Sequence, residues 1–453
     1  MLIAVIAFKN ISDVIQTILR FQERVDGFEI RWDFLEEIRS EDVQLIRRLC
    51  RVSLIFTLRR LDQGGQYHDS EFERYHEWLI LCSGQPDFID LEWDVPISWI
   101  KNIRKSFPNI KIIGSYHDFL GTLDAPSIQF HSLFDVIKVA TFCHSSLDAL
   151  KLLHWQQQER RPSIFIGMGE ASQFLRPLGP IFGRYFDYAA ISQDAAIVSG
   201  QLTVDELLNT YCYRDLNKNT RIYALIGSPI EASLGHQYHN QMFSEKAINA
   251  VYVKINLNIF ELEAFFPSIV DLPFDGFSVT MPLKKAVRTY VEDRMPDVGA
   301  LNTLKREEGR WIGINTDGEG AIRALGDSFS KVFILGAGGA GCALAHAFLK
   351  RGRNVCIWNR TPYSNFKCTN LNEFPEHQDY DLLINTLPDK VYQENPDLLK
   401  KISLWVQPGM TVMDINYQNS TQFLKMVKYR QLNMVSGLQM FIEQAKLQQS
   451  FWL

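Results

Sequence analysis

Apolar residues recur along the first 210 positions in short β-rich runs separated by longer amphipathic stretches. Candidate strands are LIAVIAF (2–8), FEIRW (28–32), VSLIFTL (52–58), DFIDLEW (87–93), IKIIGS (110–115), DVIKVA (135–140), SIFIG (163–167) and YAAI (188–191). Eight such runs, with helical stretches between most of them, predict a (β/α)8 barrel whose chemistry gathers at the C-terminal ends of the strands. A polar stretch, RDLNKNT (214–220), then precedes a fresh strand, RIYALIG (221–227), and marks a domain boundary. Strands and helices alternate from 221 to about 320, and a new pattern begins at 331, KVFILGAGGAGCALAHAFLKRGRNVCIWNRT. It reads as a strand, a glycine turn, a helix and a second strand. The expected fold is therefore α/β throughout, with a barrel over 1–213 followed by further domains over 221–320 and 321–437.

Composition narrows the function classes. At 453 residues the chain exceeds what one core supports, and 46% hydrophobic with 22% charged residues is an ordinary globular balance. A net charge of −5 without a long basic run disfavours nucleic acid as a partner. No apolar stretch reaches the ~18 residues of a membrane span, and MLIAVIAFKN reads as a first strand, not as a signal segment. Seven scattered cysteines without a CxxC pair indicate a reducing compartment and argue against a zinc site. A cytoplasmic protein acting on small molecules is expected. His236 and His239 have helical spacing for a metal pair, but no third ligand accompanies them, and no metal is expected.

Two strands end in unusual residues. IKIIGSYHDF delivers His117 and Asp118 at the end of an apolar run, and DVIKVA places Lys138 inside another. A buried, uncompensated ammonium either gives up its proton or reaches water past the strand end. A free amine is what imine formation with a ketone requires, and a neighbouring histidine can then move a proton to and from the adjacent carbon. Asp118 either orients that imidazole or is a loop carboxylate. Glu29, Arg31, Arg59 and Arg176 lie at other strand ends or in the following loops, where arginines suit a carboxylated substrate.

In the second half, Gly336, Gly338 and Gly341 follow a strand and open a helix, a dinucleotide-binding fingerprint of the Rossmann type. About 20 residues on, an NAD enzyme presents an acid, whereas this chain has Asn359, Arg360 and Thr361, which favours NADP. Upstream, Lys284 and Asp317 are either a proton-donating pair for reduction of a ketone or two unrelated surface charges, and their residues alone favour the second.

SYHD, DVIKVAT, LRPLG and SGQLTVDEL together resemble the type I 3-dehydroquinate dehydratase family over residues 1–212. The resemblance implies that Lys138 forms the imine, that His117 is the general acid/base, and that Glu29, Arg31, Arg59, Arg176 and Gln201 contact substrate. Gln63 stands where the family has an acid, and Ser199 is offset from the family's serine before the GQ pair. GSPIEASLGHQYHN, SVTMPLK, GALNTL, GINTDGEG, LGAGGAG, WNRT, INTLP and GLQMFIEQA resemble shikimate dehydrogenase over 221–453. This second resemblance implies that Lys284 and Asp317 are catalytic and that Ser233, Thr280, Asn302, Tyr417 and Gln444 contact substrate. Gly336, Ala337, Gly338, Gly339, Ala340, Gly341, Asn359, Arg360, Thr361 and Gly437 would hold NADP, and a C-terminal helix over about 438–453 would rejoin the 221–320 substrate domain. Gly235 replaces a second serine in this pattern. The joint expectation is a bifunctional enzyme that dehydrates 3-dehydroquinate and reduces 3-dehydroshikimate. The alternatives are a second half acting on quinate and a metabolite sensor without turnover.

Overall fold

In the computed structural model, which describes residues 1–121, 128–359, 379–416 and 421–453, all eight apolar runs of the first half are strands. They are β1 (Leu2–Ile6), β2 (Gly27–Arg31), β3 (Ser53–Thr57), β4 (Phe88–Glu92), β5 (Lys111–Asp118), β6 (Val136–Phe142), β7 (Ser163–Met168) and β8 (Asp187–Ala190). Their order is β7-β6-β5-β4-β3-β2-β1-β8, with parallel pairing throughout. This is a near-closed barrel. β5 runs on to Asp118 because His117 and Asp118 continue the ladder opposite Ala140 and Thr141. The histidine therefore sits inside the strand, on backbone as rigid as the barrel wall.

The chain forms two compact units. The first holds residues 1–222 together with 236–257 and 263–273. Besides the barrel it contains β10 (Ala250–Asn256); the strand before it, β9 (Arg221–Gly227), lies mostly in the second unit. In this first unit His239 is buried and stacks on Tyr252 at 4.5 Å between ring centroids, a packing role.

The second unit holds 223–235, 258–262 and 274–453. A mixed sheet contains β11 (Phe274–Val279), β12 (Glu292–Asp293), β13 (Thr303–Glu307) and β14 (Arg310–Ile314), in the order β9-β11-β13-β14-β12. A parallel sheet follows, of β15 (Lys331–Leu335), β16 (Asn354–Trp358), β17 (Leu382–Asn385), β18 (Thr411–Asp414) and β19 (Asn433–Ser436), in the order β16-β15-β17-β18-β19. The C-terminal helix Gly437–Trp452 returns to the mixed sheet, where Trp452 Nε1 donates to Leu304 O at 2.9 Å and Gln448 Nε2 to Asn302 O at 3.1 Å. Gly320 lets it approach helix Asp317–Leu325 closely, since a methyl group there would lie 2.6 Å from Gln444 Cβ. Among the described residues no helix is long and apolar enough to cross a membrane.

Candidate active sites

Strand alternation sends every second barrel side chain inward. Ile3, Phe88, Ile113, Val136, Ile164 and Phe186 belong to one buried apolar cluster that fills the N-terminal end. Further along, the same faces turn polar and carry Glu29, Arg31, Thr57, Asp90, Glu92, Ser115, His117 and Lys138. The register sets Ser115 opposite Lys138 and Ala140 opposite His117, so the lysine and histidine are diagonal neighbours on one face.

The ammonium of Lys138 is buried but compensated, which corrects the expectation from DVIKVA. It donates to Asp90 Oδ2 at 2.9 Å, lies 3.5 Å from Glu29 Oε1 and stands 4.3 Å from the Tyr188 ring centroid. Burial alone would raise the Asp90 carboxyl, but Arg59 and Lys138 outweigh it and hold the group well below the usual carboxylate range. Asp90 and Glu92 escaped the sequence reading although DFIDLEW carries them two apart on one face of an apolar strand, the anomaly that singled out Lys138.

The arginines at this end divide sharply. Arg59 contacts Asp90 Oδ1 at 2.7 Å and donates to Ser115 Oγ at 2.5 Å. Arg31 forks onto Asp33 at 2.9 and 2.7 Å, and the fully buried Arg74 of helix Glu71–Ser83 donates to Glu92. Lys138, Arg31, Arg59 and Arg74 thus face four carboxylates: Glu29, Asp33, Asp90 and Glu92. Arg176 is different. Its Nη2 donates to Gly167 O at 2.9 Å, its Nε is buried without a partner, and among the described residues no carboxylate pairs with it. Burial, and then the charge of Arg184, bring its guanidinium down to about 10.

These side chains line a cavity of about 120 Å³, with Glu29, Arg31, Arg59, Gln63, His117, Lys138, Arg176, Tyr188 and Gln201 on its walls. Gln201 Oε1 accepts from Ile197 N at 3.3 Å. Three buried polar atoms on residues of this wall lack hydrogen-bond partners among the described residues: His117 Nδ1, Arg176 Nε and Tyr188 Oη. Buried polar atoms ordinarily find partners, so a cluster of three around one cavity could receive a polar ligand.

His117 is held through its backbone. Its N–H donates to Gln63 Oε1 at 3.0 Å, and its ring stacks on Phe119 at 6.3 Å and 15°. Gly64, at φ +77°, lets the β3 loop lie flush on Phe119, where a methyl group would come within 2.2 Å of the ring. Asp118 takes no part, because its Oδ1 accepts from the Leu120 and Gly121 amides and shapes a turn. Burial, then the charges of Arg59, Lys138 and Arg31, push the imidazole well below 6.5, with Asp90 opposing. His117 is consequently neutral at physiological pH and ready to accept a proton. The pH profile of the dehydration expected from the sequence should show no histidine limb above pH 6.5 in the native chain. Gln63→Glu keeps an acceptor for the backbone N–H but adds negative charge near the ring, which favours imidazolium. Its acidic limb should therefore move upward by about one unit, read from kcat/KM between about pH 5 and 9. An unmoved profile would show that this carboxylate does not sense the ring.

In the second unit, Lys284 Nζ lies 2.5 Å from Asp317 Oδ2. Asp317 opens helix Asp317–Leu325, an end that favours negative charge. Asn302 Nδ2 donates to Asp317 Oδ1 at 2.7 Å and to Thr316 Oγ1 at 3.0 Å, while Thr316 N returns a bond to Asn302 Oδ1 at 2.8 Å. Gln444 Oε1 lies 3.3 Å from both Asn302 Nδ2 and Thr316 Oγ1. Residues far apart in the chain thus meet around one carboxylate. Thr280 N donates to Ile226 O at 2.9 Å, and Ser233 Oγ accepts from Gly235 N at 3.2 Å. Tyr417 lies outside the described residues.

The glycine turn adjoins this pair. Gly336 has φ +101°, and a methyl group on Gly341 would sit 2.0 Å from Gly336 O, so strand and helix touch through backbone. Helix Gly339–Lys350 starts at Gly338 without a side-chain cap, and a methyl group on Gly338 would meet nothing within 4 Å. Its first-turn amides are free to hold phosphate oxygens. A methyl group on Gly339 would lie 3.3 Å from Lys284 Cδ, which sets the turn against the lysine. Asn359 Oδ1 accepts from Ala337 N at 3.3 Å, Ala340 is half-buried in the first turn, and Gly437 packs under the Asp414 and Ile415 carbonyls. Arg360 and Thr361 lie outside the described residues.

Both halves of the chain match known families. Residues 2–218 match the type I 3-dehydroquinase family, and residues 225–304 match the shikimate dehydrogenase substrate binding domain. The chain is 31% identical to the shikimate biosynthesis protein AroDE of Chlamydia pneumoniae, covering 100% of this chain and 95% of that protein. It is 31% identical to the chloroplastic bifunctional 3-dehydroquinate dehydratase/shikimate dehydrogenase of Arabidopsis thaliana, over 77% of this chain and 62% of that one. It is also 32% identical to the shikimate dehydrogenase (NADP(+)) of Aquifex aeolicus, over 51% of this chain and 90% of that one. With a barrel that gathers a lysine, a histidine and an unmatched arginine, a glycine turn set against a lysine–aspartate pair, and a relative aligned over its whole length, the chain belongs to the family of bifunctional shikimate-biosynthesis proteins that join a type I 3-dehydroquinase to a shikimate dehydrogenase.

Proposed function

We propose that the barrel dehydrates 3-dehydroquinate through an imine on Lys138 and that the second half, residues 221–453, reduces the product to shikimate with NADPH. The observation that carries the first step is the clamp on Lys138. Asp90 and Glu29 flank the single positive charge of the lysine. The protonated imine carries the same charge, so the buried balance persists from free enzyme to intermediate. Attack requires transient loss of a proton from the ammonium, for which both carboxylates are in place. The imine then acidifies the neighbouring carbon, and neutral His117 takes its proton and returns it to the departing hydroxyl.

Among the described residues of this cavity Arg176 is the positive charge without a protein counter-ion, and the substrate carboxylate completes it. Arg176→Ala should raise KM for 3-dehydroquinate by about 10- to 100-fold with a smaller fall in kcat, the effect of losing one charge-assisted hydrogen bond. Initial rates over substrate concentration check this, and an unchanged KM would place the carboxylate elsewhere.

In the second half the residues fit NADP: uncapped helix amides, a bare Gly338 and an adjoining lysine. When bound, the reduced cofactor supplies the hydride. Lys284 then offers a proton to the ketone oxygen, with Asp317 orienting the ammonium and Asn302 fixing Asp317. Ser233, Thr280, Asn302 and Gln444 are assigned to substrate hydroxyls and carboxylate, and Tyr417 and Arg360 keep the roles implied by resemblance. The domains are read as 1–213, 221–320 with the C-terminal helix, and 321–437.

The test supplies the purified chain with 3-dehydroquinate and NADPH while nicotinamide and enone absorbances are followed together. NADPH consumption that depends on dehydroquinate is the expected result. Accumulating enone with constant NADPH would remove the second assignment, and silence in both signals would remove the first.

A further inference from the structure

We propose that Tyr188 is a substrate-contacting residue of the dehydratase site, its hydroxyl donating to the oxygen on the carbon that Lys138 attacks. The proposal rests on the dehydratase reading of the barrel cavity and adds to it a residue that an apolar strand conceals.

Tyr188 lies on β8, in register with Ile3, and its body belongs to the apolar cluster at the barrel's core, with Phe186 at 6.4 Å between centroids. Only 4% of the residue is exposed. A buried phenol normally ends on an acceptor. Tyr213 donates to Asp187 Oδ2 at 2.7 Å and Tyr392 to Asn385 Oδ1 at 2.7 Å. Among the described residues the hydroxyl of Tyr188 has no such acceptor, although the residue lines the cavity shared with Lys138, His117 and Arg176. Neighbouring donors are committed: Arg31 to Asp33, and Arg59 to Asp90 and Ser115.

The ring face lies 4.3 Å from Lys138 Nζ. That face favours a cation, and both the ammonium and the protonated imine are cations. During attack a C–N bond forms as the carbonyl π pair moves onto oxygen. This oxygen departs as water with two protons that began on the ammonium nitrogen, leaving a positively charged C=N bond. It lies two bonds from Nζ while the carbinolamine exists, and Nζ stands 4.3 Å from the centroid of the ring that carries the hydroxyl. A donor placed there stabilises the developing alkoxide. Burial, then Glu29 and Asp90, keep the phenol protonated, so it donates throughout and gives up no proton.

The experiment compares the full chain with Tyr188→Phe, Tyr188→Leu and Lys138→Met, measuring dehydration kinetics and the fraction of protein trapped as a borohydride-reduced adduct. NADPH-dependent reduction of 3-dehydroshikimate by the same preparations reports folding of the chain. Tyr188→Phe should lower kcat for dehydration about tenfold, the effect of one lost hydrogen bond to developing charge. Tyr188→Leu should also lower the trapped fraction at equal substrate saturation, a readout that depends on the ring and not on packing alone. Tyr188→Phe within twofold of the native kcat and KM would overturn the proposal. A Lys138→Met chain as active as the native one would overturn the dehydratase reading of the cavity and the proposal with it, which separates the two failures.

Discussion

Lys138→Met should abolish dehydration, with a loss on the order of 10^3-fold or more, and leave the reduction of 3-dehydroshikimate unchanged. Methionine retains the length of the stem and loses only the nucleophile and its charge. The cost to the fold is modest, about 1–3 kcal/mol, because each carboxylate released by the ammonium keeps another partner. Asp90 retains Arg59 at 2.7 Å, and Glu29 retains the Thr57 hydroxyl at 2.8 Å. Enone formation measures the loss, and mass spectrometry after borohydride reduction shows whether the native chain, unlike the variant, acquires the mass of reduced substrate. Residual dehydration within tenfold of native would mean that the imine is not formed on Lys138, and the clamp by Asp90 and Glu29 would then be an ordinary buried ion pair.

The mirror-image result is expected in the second half. Lys284→Met and Asp317→Asn should each lower kcat for reduction by about 10^2- to 10^4-fold, the range of general acid/base contributions, with dehydration unaffected. Asp317→Asn does more than remove charge. Asn302 Nδ2 already donates to Oδ1 and Lys284 to Oδ2, so an asparagine must turn its own amide donor toward one of them. The lysine then loses the acceptor that fixes its direction. Because both variants disable one unit of chemistry, the double variant should be no slower than the worse single one. Full additivity of the two losses would indicate that lysine and aspartate act independently. Measuring both activities on each variant makes every preparation its own control for folding.

The strands of the barrel were legible because burial on both faces demands continuous β-rich runs, and each of the eight runs lies on its strand to within a few residues. Two residues of the first site announced themselves because they contradict those runs: a lysine in DVIKVA and a histidine after IKIIGSY. Gly336 and Gly341 were legible for a related reason, since only glycine tolerates the positive φ at the first and the backbone contact at the second.

Partnership was not legible. Arg31, Arg59 and Arg176 look alike in sequence, yet two are spent on protein carboxylates and the third meets none among the described residues, a difference set by what the surrounding strands and loops bring within 4 Å. Asp118 looked like the histidine's natural partner because it is adjacent, but strand alternation turns it to the opposite face, and Gln63, 54 residues away, takes that place through the backbone. Tyr188 drew no notice within YAAI because aromatic body and polar tip are one residue type. Composition and periodicity act locally, and so the chain by itself determined the strands, the glycine turn and the chemically anomalous positions. Which charges cancel, which hydroxyl is left without an acceptor, and that Gln444 meets Asn302 across 142 residues depend on distances set by sheet register and helix packing, and only the tertiary structure decided them.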